Sequence, residues 1–124
     1  IDKSISPYRE TRKRYKAQNP EKWHRYDQEY SEQLRREIRV EVLSHYSPNS
    51  ILRCSWVDCL VDDIDMLVLD HINDDGAQQR KSGCGRGWNF YRWLKKQNFP
   101  DGYQTLCCNH NHKKELLRSR LHKF

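Results

Sequence analysis

The chain lacks any long apolar run. No stretch of its 124 residues approaches the ~20 that a membrane helix needs. The N-terminus carries no hydrophobic signal core, so the expectation is a soluble, intracellular protein with no membrane partner. Apolar residues are also scarce, at 35% with a single Met, and the mean hydropathy is −1.12. A chain this long buries about two thirds of its unfolded surface, so a core this thin calls for help from something other than apolar burial. Five cysteines is an odd number and their spacing couples them to histidines, which argues against a disulfide framework and for metal ligation. Internal repeats and low-complexity tracts are absent.

Basic residues are missing from one segment in particular. Residues 54–75 hold 7 acids and no Lys or Arg, whereas residues 76–124 hold 11 bases against 2 acids and residues 1–46 hold 11 against 8. The net charge of +6 therefore hides an acidic knot between basic flanks. Such a pattern suits a cation site set in a polyanion-binding surface.

Two helix starts are written alike, Ser6-Pro7 and Asn19-Pro20, each a capping residue followed by proline at the first helical position. From Pro20 the positions Trp23, Tyr26, Tyr30, Leu34, Ile38, Val42 and Tyr46 recur every three or four residues, one stripe along about seven helical turns. The shorter first helix interleaves Arg12, Lys13, Arg14 and Lys16 with Tyr8 and Tyr15, a pattern suited to lying along phosphates. Ser47-Pro48-Asn49-Ser50 marks a boundary, giving a basic helical arm over 1–49 and a second module over 50–124. In that module residues 66–69 predict a buried strand, and 73–87 a long loop holding the isolated Cys84. A short helix follows to Asn98, then a second strand over 103–106 and a final helix from about Asn109.

Cys54 and Cys59 are separated by four residues and Cys107 and His110 by two, spacings at which a tight turn aims two side chains at one ion. A structural Zn²⁺ of Cys₃His type fits. Cys108 adjoins Cys107 and competes for the third position; spacing favours Cys107. A zinc site of this kind contributes ~10–16 kcal/mol in small modules, enough to offset a thin core.

Asp70-His71 follows the first predicted strand, and supplies a carboxylate for a hard cation and an imidazole able to take a proton near neutral pH. Neighbouring strand residues point to opposite faces, so both serve one phosphate only if the strand ends in an irregular turn there. Paired Cys, an apolar strand ending in Asp70-His71-Ile72, a long loop, Leu106-Cys107 with His110-Asn111, and a Lys-rich helix together resemble the HNH endonuclease family in its zinc-stapled form. The closer likeness is to small phage or intron members with a basic helical arm. The resemblance covers 54–124 and implies an α+β fold, a ββα-metal module stapled by zinc and preceded by the arm. It also implies His71 as general base and Asp70 with Asn111 on a catalytic Mg²⁺ or Mn²⁺; His112, next to Asn111, is the alternative cation ligand or a phosphate contact. Two departures stand out: His110 replaces a usual Cys, and the family's middle Asn falls near Gly102, so that Asn89 or Asn98 substitutes or the brace is absent.

The implied activity is hydrolysis of a DNA phosphodiester bond, nicking by a monomer, with double-strand cleavage requiring a homodimer or two visits. Double-stranded DNA would be held by Arg80, Lys81, Arg86, Arg92, Lys95 and Lys96 around the loop and short helix. Lys113, Lys114, Arg118 and Arg120 on the last helix would add to them. A zinc-stapled DNA-binding module without catalysis is the alternative, and RNA is a third partner that charge alone does not exclude. Nothing in the sequence marks a base-reading element.

Overall fold

A computed structural model describes residues 7–73 and 87–122. Four helices and two strands run in the order α1 (Pro7–Gln18), α2 (Pro20–His45), β1 (Leu67–His71), α3 (Trp88–Lys96), β2 (Tyr103–Cys107) and α4 (Cys108–His122). Single 3₁₀ turns at Pro48–Ser50 and Ile64–Met66 bracket the segment before β1. The fold is α+β, with a small two-stranded sheet. Among the described residues no helix is long and apolar enough to cross a membrane.

Asn19 both ends α1 and starts α2. Its backbone and side-chain amides donate to the Tyr15 carbonyl at 2.9 and 3.2 Å, while its own carbonyl accepts from Trp23 N–H at 2.9 Å. Pro20 then occupies the first turn of α2, where its missing N–H costs nothing.

Two compact units are present, Ile1–Arg35 and Arg36–Phe124. In the first, the aromatic stripe covers itself: Trp23 packs on Tyr26 with ring centroids 5.8 Å apart, and Tyr26 lies parallel to Tyr30. Tyr26 and Tyr30 nevertheless remain more than half exposed. The second unit takes in the last turns of α2, which carry Val42 and Leu43, both fully buried. Leu43 packs with Cys54, Ile64, Leu67, Leu106 and Cys107, and Val42 with Leu94 and Tyr103.

β1 and β2 pair antiparallel, from Leu67 opposite Cys107 to His71 opposite Tyr103. Side-chain hydroxyls tie this sheet to α2. Thr105 Oγ1 and Ser47 Oγ both donate to the Leu43 carbonyl, at 2.7 and 2.6 Å, and Arg39 Nη2 reaches the Leu67 carbonyl at 2.7 Å. A carbonyl at a helix C-terminus has no partner within the helix, so these bonds satisfy it and set α2 against the sheet.

The turn into β2 depends on Gly102, whose φ of +112° lies in a region that L side chains rarely adopt. Its carbonyl accepts from Ile72 N–H at 3.0 Å, a backbone bond that closes the strand pair at the point where the resemblance leads one to look for an asparagine. Asn98 instead ends α3 in a left-handed conformation, φ 60°. Open space surrounds the position a Gly102 Cβ would take, so the cost of a side chain there is torsional. Gly102→Ala is expected to lower stability by ~1–3 kcal/mol in chemical denaturation, with the metal content unchanged.

Candidate functional site

Four side chains converge where β2 meets α4. Cys54 and Cys59 come from the segment after α2, Cys107 from the end of β2, and His110 from the first turn of α4. Their ligand atoms all lie within 4.8 Å of one another, and the group could hold a metal ion. Sγ of Cys54 is 3.6 Å and Sγ of Cys107 3.3 Å from His110 Nδ1, and the sulfurs of Cys59 and Cys107 are 4.0 Å apart. A tetrahedral zinc ion with ordinary bond lengths has S-to-N edges of about 3.5 Å and S-to-S edges of about 3.8 Å. The spacing and the donor types thus fit a structural zinc.

Strand register decides between the adjacent cysteines. Cys107 pairs with Leu67 and faces the core, 3% exposed, while Cys108 opens α4 and is exposed. The Cys107 N–H donates to Cys54 Sγ at 3.2 Å, and the His110 N–H to Cys107 Sγ at 3.5 Å. These contacts divide the two thiols. Burial pushes Cys54 up to about 11 against the help of its backbone donors. Burial also acts to raise Cys107, but the amides of His110 and Asn109, with the neighbouring thiols, bring it below its ordinary value. At neutral pH a metal entering this centre displaces at least the Cys54 proton, so its affinity rises with pH.

Trp56 lies flat on His110, with ring centroids 4.8 Å apart and planes 3° from parallel. Zinc is silent in most spectroscopies, but this indole reports on the ring it covers. Removing bound metal with a chelator is expected to change tryptophan emission, and Trp56→Phe to reduce that change, Trp88 and Trp93 of the same unit contributing the remainder.

Beside the centre is a hollow of about 300 Å³ whose lining includes Asp70, Cys108, Asn111, His112, Lys114 and Glu115. Asp70 and Asn111 therefore line the same hollow, as does His112, and His71 is not among the lining residues. β1 stays regular through the pair His71–Tyr103, so within the strand the two side chains project to opposite faces; Ile72 and Asn73 form a turn after it, and residues 74–76 of the expected turn lie outside the described residues. His71 stacks on Phe90 with centroids 5.7 Å apart and meets Tyr103 edge-on at 5.2 Å.

Asp70 is 8% exposed and its Oδ2 accepts two bonds, from Lys114 Nζ at 2.7 Å and from Gln104 Nε2 at 2.8 Å. Lys114 Nζ also donates to the carbonyls of His71 at 2.8 Å and Ile72 at 3.2 Å. Three oxygens thus surround one ammonium. In sequence Lys114 reads only as a DNA contact; the antiparallel register and the helix after it are what bring about this second role.

The remaining basic candidates divide by what they touch. Lys95 pairs with Glu41 at 2.8 Å, Arg118 with Glu115, and Arg92 lies over the Trp88 ring at 5.6 Å. Lys96, Lys113 and Arg120 are exposed. Arg12 lies over Trp23 at 5.0 Å, while Lys13 and Lys16 line a neighbouring hollow of the first unit and Arg14 is exposed. Arg80, Lys81, Cys84 and Arg86 fall outside the described residues. Comparison with protein-family models, with curated proteins and with solved structures gives no match.

Proposed function

We propose that this chain is a metal-dependent DNA endonuclease of the HNH type. Cys54, Cys59, Cys107 and His110 hold a structural Zn²⁺, and Asp70 with Asn111 hold a catalytic Mg²⁺ or Mn²⁺. The observation that carries the reading is that Asp70 from β1 lines one hollow with Asn111 and His112 from α4, residues that follow the Cys₃His ligand His110 in the chain. A pure zinc-stapled binder has no need of that second, oxygen-bearing hollow. The donor set suits a hard cation: both of Asp70's bonds fall on Oδ2, and Oδ1 accepts none among the described residues.

When bound there, a divalent cation supplies electrostatic stabilisation of the charge that builds on phosphorus and on the departing 3′ oxygen. The residues do the rest. Asp70 and Asn111 fix one side of the scissile phosphate across the end of β1. For His71 to take the proton of the attacking water, its imidazole has to come round the end of β1 from the face where it packs on Phe90 and Tyr103. Lys113 and Lys96 neutralise flanking phosphates, and the products carry 5′-phosphate and 3′-hydroxyl ends.

The test is supercoiled plasmid incubated with Mg²⁺, Mn²⁺ or EDTA and resolved into intact, nicked and linear forms. Nicked circles in either metal and none in EDTA are expected. A second reading, DNA binding without catalysis, draws on the Asp70–Lys114 pair, since a carboxylate already neutralised has less call for a metal. Plasmid that is retarded on a gel but never nicked would establish that reading instead.

The arm makes a separate prediction. Replacing Arg12, Lys13, Arg14 and Lys16 together by alanine is expected to weaken binding to all DNA sequences alike. The log–log salt dependence should become shallower by about 0.9 for each phosphate that the variant no longer neutralises, so by about 3–4 in total. An unchanged slope in a filter-binding titration would show that α1 does not touch the DNA backbone.

A further inference from the structure

Resting on the reading of the hollow as a divalent-cation site, we infer that Lys114 is its resident cation. The ammonium on α4 neutralises Asp70 in the metal-free protein and holds the site's affinity for divalent ions down. Lys114 Nζ is held by Asp70 Oδ2 at 2.7 Å and by the backbone carbonyls of His71 and Ile72 at 2.8 and 3.2 Å. This is a cage of oxygens of the kind that a hard cation also selects. Both side chains are withdrawn from solvent, 21% exposed for Lys114 and 9% for Asp70, so their charges are weakly screened. An exposed ion pair has little influence on its surroundings. This one stands on the wall of the same hollow that Asn111 and His112 line.

The consequence follows from charge. A divalent ion that ligates Asp70 through Oδ1 comes within a few ångströms of the ammonium and is repelled by it. Binding then requires either that repulsion or the withdrawal of Lys114 from its three oxygens. Both weaken metal binding relative to a site with a neutral residue at 114. Lys114 is in these terms a positioning residue that also sets the metal threshold, and not one that touches the reacting atoms.

The test uses the full chain, zinc-loaded, titrated with Mn²⁺ alone and followed by the loss of the free-ion electron paramagnetic resonance signal. Lys114→Met keeps the apolar stem and removes the charge. It is expected to bind Mn²⁺ about tenfold more tightly than the parent, a coupling of ordinary size. Lys114→Arg, which keeps the charge, is expected to stay near the parent. Lys114→Gln serves in place of the methionine variant if that protein does not fold, as judged by zinc content and thermal melting. Mn²⁺ binding by Lys114→Met that is no tighter than the parent's overturns the inference and leaves Lys114 a brace between β1 and α4. The Asp70→Asn variant separates the two failures. If it binds Mn²⁺ as well as the parent does, the hollow is not the cation site and the reading beneath the inference falls with it. If it loses the ion while Lys114→Met gains nothing, only the inference falls.

Discussion

His71→Ala is expected to abolish plasmid nicking in Mg²⁺, by ~10²–10⁴-fold, the usual worth of a general base. The proposed mechanism gives the role of base to the His71 imidazole at the end of β1. Its neighbours set the size of the side effect. The ring stacks on Phe90 and meets Tyr103, contacts worth about 0.5–1.5 kcal/mol each beyond their buried area. A modest fall in melting temperature should therefore accompany the loss of activity, and nicking is to be compared well below that temperature. On the proposed reading DNA is held by Lys and Arg side chains elsewhere, so DNA affinity should hardly move. His71→Gln, which keeps a planar polar side chain but no base, should recover stability without recovering rate. Parent and alanine variant nicking at equal rates would remove His71 from the mechanism, and the bland role of an aromatic-packed histidine would be all that is left to it.

Much of this arrangement is written in short-range chemistry. Pro7 and Pro20 open their helices, and Asn19 does double duty between them because an Asn carbonyl and amide sit where one helix ends and the next begins. The cysteine spacings point to a Cys₃His cluster, since two to four intervening residues suffice to turn two ligands onto one point. What escapes the sequence is long-range. Spacing already favours Cys107 over Cys108, and what the strand register adds is the burial of Cys107 opposite Leu67 while Cys108 is exposed. The stripe of α2 is periodic throughout, yet only its last turns are buried, at Val42 and Leu43. Periodicity reports which face is apolar and not what, if anything, covers it. The Asp70–Lys114 pair joins residues 44 apart in the chain, and Lys114 reads in sequence like any lysine of a basic helix. The opposite projection of Asp70 and His71 is foreseeable from strand geometry, but the regularity of β1 that enforces it comes from Tyr103 and Gly102 on the partner segment.

Removing the metal from the Cys₃His centre is expected to unfold the second unit. Its buried side chains form two small clusters, and in the larger of them Cys54 and Cys107 are themselves members. The centre therefore belongs to the core as well as being bound by it. A structural zinc contributes ~10–16 kcal/mol to a small module, and a domain of this size is stable by only ~5–15 kcal/mol in total, so the ion's contribution exceeds the margin. Cys54→Ser removes a ligand and leaves a hydroxyl at a site that is 1% exposed, where its nearest partners are two more thiols and an imidazole. Loss of the cooperative melt, loss of the near-ultraviolet signal of Trp56 and metal content falling from about one ion per chain toward none should come together. Cys108→Ser is the matched control, one residue along from a ligand but exposed and outside the cluster, and it should leave all three unchanged. A Cys54→Ser protein that melts like its parent with no metal bound would mean that the apolar contacts around Leu43, Leu67 and Leu106 suffice alone. The four convergent side chains would then be an ordinary buried cluster. Zinc content and melting must be read on the same samples, because a serine variant that still holds the ion through three ligands would keep the fold for the very reason argued here.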